Sequence, residues 1–221
     1  MKVRLKLCSL TPPNPLIFLM LLESARAIYR YCYSAHSLGV MFDSGLTMKQ
    51  QVDRICQTSY FEIRRIGSIR QFLTTEATQI FVTSLVLSRL DYCNSLLASI
   101  PQKLVNKVQR VMNGAARLVC KAPKHKYVTP PFFCVDLHWL PVERRIEYKI
   151  ATICYNVINV TAPPYLSDLL ELNTPSRTLR SSADTRIFRI PNRRKGFQGQ
   201  RTFPFIGPSI WNNIPFSVRH A

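Results

Sequence analysis

Between Pro101 and Lys121 the chain carries two stripes that only a helix can separate. Apolar residues at Leu104, Val108, Val111, Met112, Ala115, Leu118 and Val119 have the spacing of one helical face. Lys103, Lys107, Arg110, Arg117 and Lys121 follow in steps of 4, 3, 7 and 4, so a helix gathers all five cations in one line. Pro101 suits the first turn, where no backbone N–H is needed. No acid stands between Asp91 and Asp136 to neutralise the line in sequence. Such a line is either a solvated polar face or a row of phosphate contacts.

The segments before it are helical too. A helix is expected from Thr47, with Gln50 completing a capping-box pattern. Met48, Val52, Ile55, Cys56, Ile63, Ile66 and Ile69 are its apolar positions; Arg54, Arg64, Arg65 and Arg70 lie off that face, and it should end near Arg70. Thr74 or Thr75 caps the next helix, with Glu76 in its first turn. Ala77 to Leu90 is almost wholly apolar or hydroxylic, which predicts a buried helix, continuing as broken helix to Ile100. Upstream, residues 38–43 read as a short strand and Ser44-Gly45 as a turn.

Downstream, prolines interrupt residues 123–141, and Val142, Ile146, Ile150, Ile153, Cys154, Val157 and Ile158 then define another helix. Pro163-Pro164 ends it, and Tyr165 to Leu170 supply one or two further turns. Thr185 to Ile190 reads as a strand. Arg193-Arg194-Lys195 is the densest cationic run, followed by Phe197, Phe203, Phe205, Trp211 and Phe216. Cations interleaved with rings suit single-stranded nucleic acid, yet the same rings serve equally well as packing against the helices. Gly207 to Pro215 is expected as a short terminal helix docking through Trp211. The predicted fold is mainly α: a small helical bundle over about 44–122, then a further helix and a loop-rich C-terminal region with little strand.

Charge narrows the partner class. Lys and Arg number 30 against 12 Asp and Glu, a formal +18 spread along the whole chain, which attracts polyanions such as nucleic acid or an anionic membrane. With 47% apolar residues the chain can still build a core. The seven cysteines make no CxxC pair and have no zinc-finger spacing, so buried free thiols in a reducing compartment are expected. Leu16 to Leu22 after Lys2, Arg4 and Lys6 weakly imitates a signal peptide. The run is short and Thr11-Pro12-Pro13-Asn14-Pro15 interrupts its approach, so a cytoplasmic or nuclear location is expected and no membrane span. Catalytic constellations are missing: there is no P-loop, GxSxG, HExxH, Asp-Asp pair or metal-spaced His/Cys cluster, so neither a cofactor nor a metal is expected.

Short motifs in order, from about Ser34 to His220, carry a family likeness. They are Leu38-Gly39-Val40-Met41-Phe42-Asp43 with Leu46; Ser88-Arg89-Leu90-Asp91-Tyr92-Cys93-Asn94; Val111 through Arg117; Leu137-His138-Trp139-Leu140-Pro141-Val142 with Arg145-Ile146; Ala162-Pro163-Pro164-Tyr165-Leu166-Ser167-Asp168-Leu169; Arg180-Ser181-Ser182; and Trp211-Asn212-Asn213-Ile214-Pro215. In this order and spacing the chain resembles the C-terminal part of non-LTR (LINE-class, jockey-like) retrotransposon reverse transcriptases.

The resemblance implies an unmatched segment at 1–33, a palm-end remnant at 34–43, a thumb-like helical bundle at 44–122 and a post-thumb region at 123–221. That family's palm aspartates and endonuclease have no counterpart here, so it implies no polymerase activity. The implied partners are RNA, DNA or an RNA–DNA duplex, gripped by its phosphates without reading sequence, and a full-length reverse transcriptase. Candidate nucleic-acid contacts are Lys103, Lys107, Arg110, Arg117 and Lys121, with Arg64, Arg65, Arg193, Arg194 and Lys195. The competing expectation is an inherited remnant, or a structural or interaction module, with no specific binding activity.

Overall fold

The computed structural model describes residues 34–122, 137–173, 186–191 and 201–219. Residues 1–33, Arg180-Ser181-Ser182, Arg193, Arg194, Lys195 and Phe197 lie outside the described residues. The protein is mainly α-helical with a small two-stranded sheet. The chain divides into two compact units at Arg54–Ile55.

In the first unit, β1 (Ser34–Ser37) and β2 (Val40–Asp43) pair antiparallel, Ser34 opposite Asp43 and Ser37 opposite Val40. Leu38 (φ 47°) and Gly39 (φ 81°) close the hairpin in left-handed backbone, whose twist matches that of the strands. The strand expected at 38–43 therefore starts two residues later. Asp43 then turns its carboxylate onto the start of α1 (Lys49–Ile69), accepting from the Thr47 N–H (2.9 Å), the Thr47 hydroxyl (2.7 Å) and the Met48 N–H (2.9 Å). Partial burial pushes this carboxyl up, but the Thr47 and Met48 bonds outweigh it and hold it below its ordinary 3.8. This cap takes the place of the expected Thr47–Gln50 box, because Thr47 stands outside the helix. Gln51, not Gln50, reaches back, accepting from the Met41 N–H at 2.9 Å.

The second unit is the helical body. After α1 come a 3-10 turn (Arg70–Phe72), α2 (Thr75–Val82), a π turn (Thr83–Leu87) and α3 (Ser88–Asp91). A second 3-10 turn (Asn94–Leu97) leads to α4 (Gln102–Val119). Thr74 caps α2 by accepting from the Ala77 N–H at 3.2 Å. The α2–α3 run is buried on one side only, where its composition predicts burial on most sides. Thr78, Val82, Val86, Leu87 and Leu90 face inward, while Ile80 is 66% and Phe81 41% exposed. One side of the run packs on α4, and no described residue covers the other.

α4 buries Val105, Val108, Val111, Met112, Ala115, Ala116 and Val119. The inward face is thus turned slightly from the one the sequence predicts: Val105 and Ala116 enter it, and Leu104 and Leu118 are half-buried. Pro101 stands just before the helix, as its N-cap.

α5 (Val142–Ile158), as the periodicity predicts, packs against α4, the second 3-10 turn and α7 (Phe203–Asn212). Its first N–H, on Val142, donates to Gln109 Oε1 of α4 at 2.9 Å. Arg145 ties it to α3 through an ion pair with Asp91. α6 (Pro164–Ser167) is one turn, and α8 (Phe216–Arg219) follows α7. Trp211 is buried, as expected of a docking residue, and its Nε1–H donates to the Arg186 carbonyl at 2.7 Å. Asn212 brackets Phe188, accepting from its N–H (3.1 Å) and donating to its carbonyl (2.8 Å). The strand expected at 185–190 is reduced, among the described residues, to an isolated bridge between Leu172 and Phe188. The Asn212 side chain satisfies the backbone groups of Phe188 that a second strand would otherwise take.

Candidate nucleic-acid interface

Helices α1 and α4 lie side by side and run in the same direction. An ideal Cβ on Gly114 would sit 3.8 Å from Tyr60 Cε1 and 4.0 Å from Ile63 Cδ1, and one on Gly67 would sit 3.8 Å from Leu118 Cδ1. The two helices therefore touch at both glycines, at distances where a methyl group would make ordinary contact. Arg70 locks the far end of the pair. Its Nε donates to the Leu118 carbonyl and its Nη2 to the Val119 carbonyl, both at 2.9 Å, and its Nη1 donates to the Leu73 carbonyl at 2.7 Å. These are terminal carbonyls of α4, with no partner inside the helix. Arg70, expected on the outer face of α1, is therefore buried as a cap.

Gly114 falls in the line of cations, seven residues after Lys107, four after Arg110 and three before Arg117. Tyr60 of α1 lies against the glycine. Partial burial, then Cys56, pushes the Tyr60 phenol above its ordinary 10.0, while Arg110, Arg117 and Lys107 pull it back. Those three cations act on one hydroxyl, so the structure gathers them in one place. Lys103, Lys107 and Arg110 are exposed; Lys103 and Arg110 make no ion pair among the described residues.

The two ends of the predicted line behave differently. Arg117 is half-buried, and its Nε is enclosed with no hydrogen-bond partner among the described residues. Lys121 is not on the helix. α4 ends at Val119, and Lys121 takes a left-handed φ of 49°, so the fifth cation leaves the line where the backbone turns.

On α1, Arg64 is exposed and follows one turn after Tyr60, on the same face. Arg65 pairs with the buried Glu62 at 3.2 Å and lies over the Phe61 ring at 5.7 Å. Tyr60 and Phe61, 39% and 52% exposed, are the rings beside these cations. Of the rings expected to serve in their place, Trp211 is buried against Phe188 and Tyr155, and Phe203 and Phe205 are half-buried in α7. Reading the sequence in order misses Tyr60, because it meets the cations only across the helix pair. Gly114 inside the basic period was the available signal.

A cleft of about 320 Å³ lies elsewhere, lined by Glu143, Glu147, Arg201, Ile146, Phe205 and neighbouring residues. Glu147 is paired with Arg144 at 2.6 Å. Two carboxylates on its wall suit it poorly to a phosphate. No group of His, Cys, Asp and Glu among the described residues could hold a metal ion. No described helix is long and apolar enough to cross a membrane. Compared with protein-family models, curated proteins and solved structures, the chain matches none.

Proposed function

We propose that this protein binds nucleic acid through its phosphate backbone, without catalysis and without reading sequence, and that it derives from the thumb region of a LINE-class reverse transcriptase. The observation that carries the reading is the basic surface of α4, where Lys103, Lys107 and Arg110 stand exposed on one face of a helix packed against α1 and α5. Cations set along one helix face can meet successive phosphates without reading bases. The net charge of +18 supplies the long-range attraction. The exposed Phe72, Ile80 and Phe81 accord with descent from a larger body.

The test is fluorescence anisotropy on an RNA–DNA duplex over a salt series. Wild type is compared with Lys103→Glu/Lys107→Glu/Arg110→Glu and with the equal-charge control Lys49→Glu/Lys149→Glu/Arg189→Glu. Arg117 is left in place because it is half-buried. With about three to four phosphates neutralised, log affinity should fall against log salt with a slope of roughly −3. Binding should be lost in the α4 variant and largely kept in the control. Equal loss in both would leave only nonspecific charge, the property of an inherited remnant.

A further inference from the structure

Resting on that phosphate-binding reading, we propose that the α1–α4 surface takes single-stranded nucleic acid, with the Tyr60 ring stacked on an unpaired base while Lys107 and Arg110 hold the flanking phosphates. Tyr60, with Ile63 beside it, meets α4 at Gly114, within the cationic line. Its Cε1 edge lies 3.8 Å from where a Cβ on Gly114 would sit, and the residue keeps 39% of its surface exposed. A ring packed against a neighbouring helix and partly exposed loses little freedom on stacking. Lys107 and Arg110, exposed two turns and one turn before position 114 on α4, stand where phosphates flanking the stacked base would pass. Phe61, with Arg65 over its ring, and Arg64 extend the same mixture of rings and cations along α1. Backbone clamps on blunt duplex need cations alone; exposed rings among them fit a strand whose bases are unpaired.

The test uses a single-stranded oligonucleotide carrying 2-aminopurine and a blunt duplex of equal length, with wild type, Tyr60→Ala, Tyr60→Leu and Tyr60→Phe. Leu keeps apolar packing over Gly114 without an aromatic face, so a folding defect in the Ala variant does not decide the outcome. Wild type should quench 2-aminopurine and bind the single strand more tightly than the duplex. The Ala and Leu variants should lose roughly 10- to 100-fold on the single strand and little on the duplex, and Phe should behave as wild type. Unchanged single-strand affinity in the Leu variant, or equal loss on both ligands, overturns stacking. If charge reversal on α4 abolishes binding while Tyr60→Leu does not, only the stacking fails. If charge reversal has no effect, the phosphate-binding reading fails with it.

Discussion

Glycine means opposite things at two places in these helices. At Gly114 an added Cβ finds ordinary contact distances, 3.8 Å to Tyr60 Cε1 and 4.0 Å to Ile63 Cδ1. The backbone there is helical, so alanine should remove conformational freedom from the unfolded chain at no steric cost. Gly114→Ala is expected to stabilise by about 0.5 to 1 kcal/mol, read as a rise in melting temperature. At Gly207 the added Cβ would lie 3.2 Å from Cys154 Sγ and 3.3 Å from Phe203 Cε2. Cys154 is fully buried and cannot retreat easily, so Gly207→Ala should melt no higher than wild type, and lower if the sulfur is held fast. Sequence marks both as glycines in helical stretches; only the neighbours across the interface tell them apart.

At the level of the element, α4 is fixed at its end by a side chain 48 residues away. Arg70 gives two charge-assisted hydrogen bonds to its last turn, beside the backbone bond from the Cys120 N–H to the Ala116 carbonyl. Removing that guanidinium leaves the Leu118 and Val119 carbonyls without their protein partner. Arg70→Ala should cost about 2 to 3 kcal/mol in urea unfolding. Arg70→Lys should recover only part, because an ammonium cannot reproduce the fork that spans both carbonyls. A wild-type midpoint in Arg70→Ala would dispose of the capping role. The existence of α1, α4 and α5 was legible from apolar spacing, since one buried stripe per helix leaves a period of 3.6. Their caps were less so: Asp43 displaces the Thr47–Gln50 box, and Arg70 works from outside α4 altogether.

For the whole molecule, the buried thiol of Cys154 predicts a loss of stability in alkali. Burial pushes it up to about 12 from an ordinary 9.0. The folded state then holds this proton where the unfolded chain releases it. The contribution is complete below pH 9 and declines as pH rises toward about 12. Cys154→Ala should remove that part of the alkaline decline in a pH series of urea midpoints, and the wild-type thiol should resist alkylation at pH 8 until the protein unfolds. Persistence of the same decline in the variant would assign it to other groups.

The sequence by itself determined a mainly helical chain, most of the core stripe of α1, α4 and α5, the Trp211 anchor and a run of cations at helical spacing on α4, because these depend on period and charge alone. Only the tertiary structure decided which cations the line keeps. Lys121 leaves it where α4 ends, Arg117 turns partly inward, and Arg70 is drawn into the core by carbonyls far along the chain. It also brought Tyr60 to Gly114 within that line. Which residues meet across two helices is set by how the helices pack, and no periodicity within either helix encodes that.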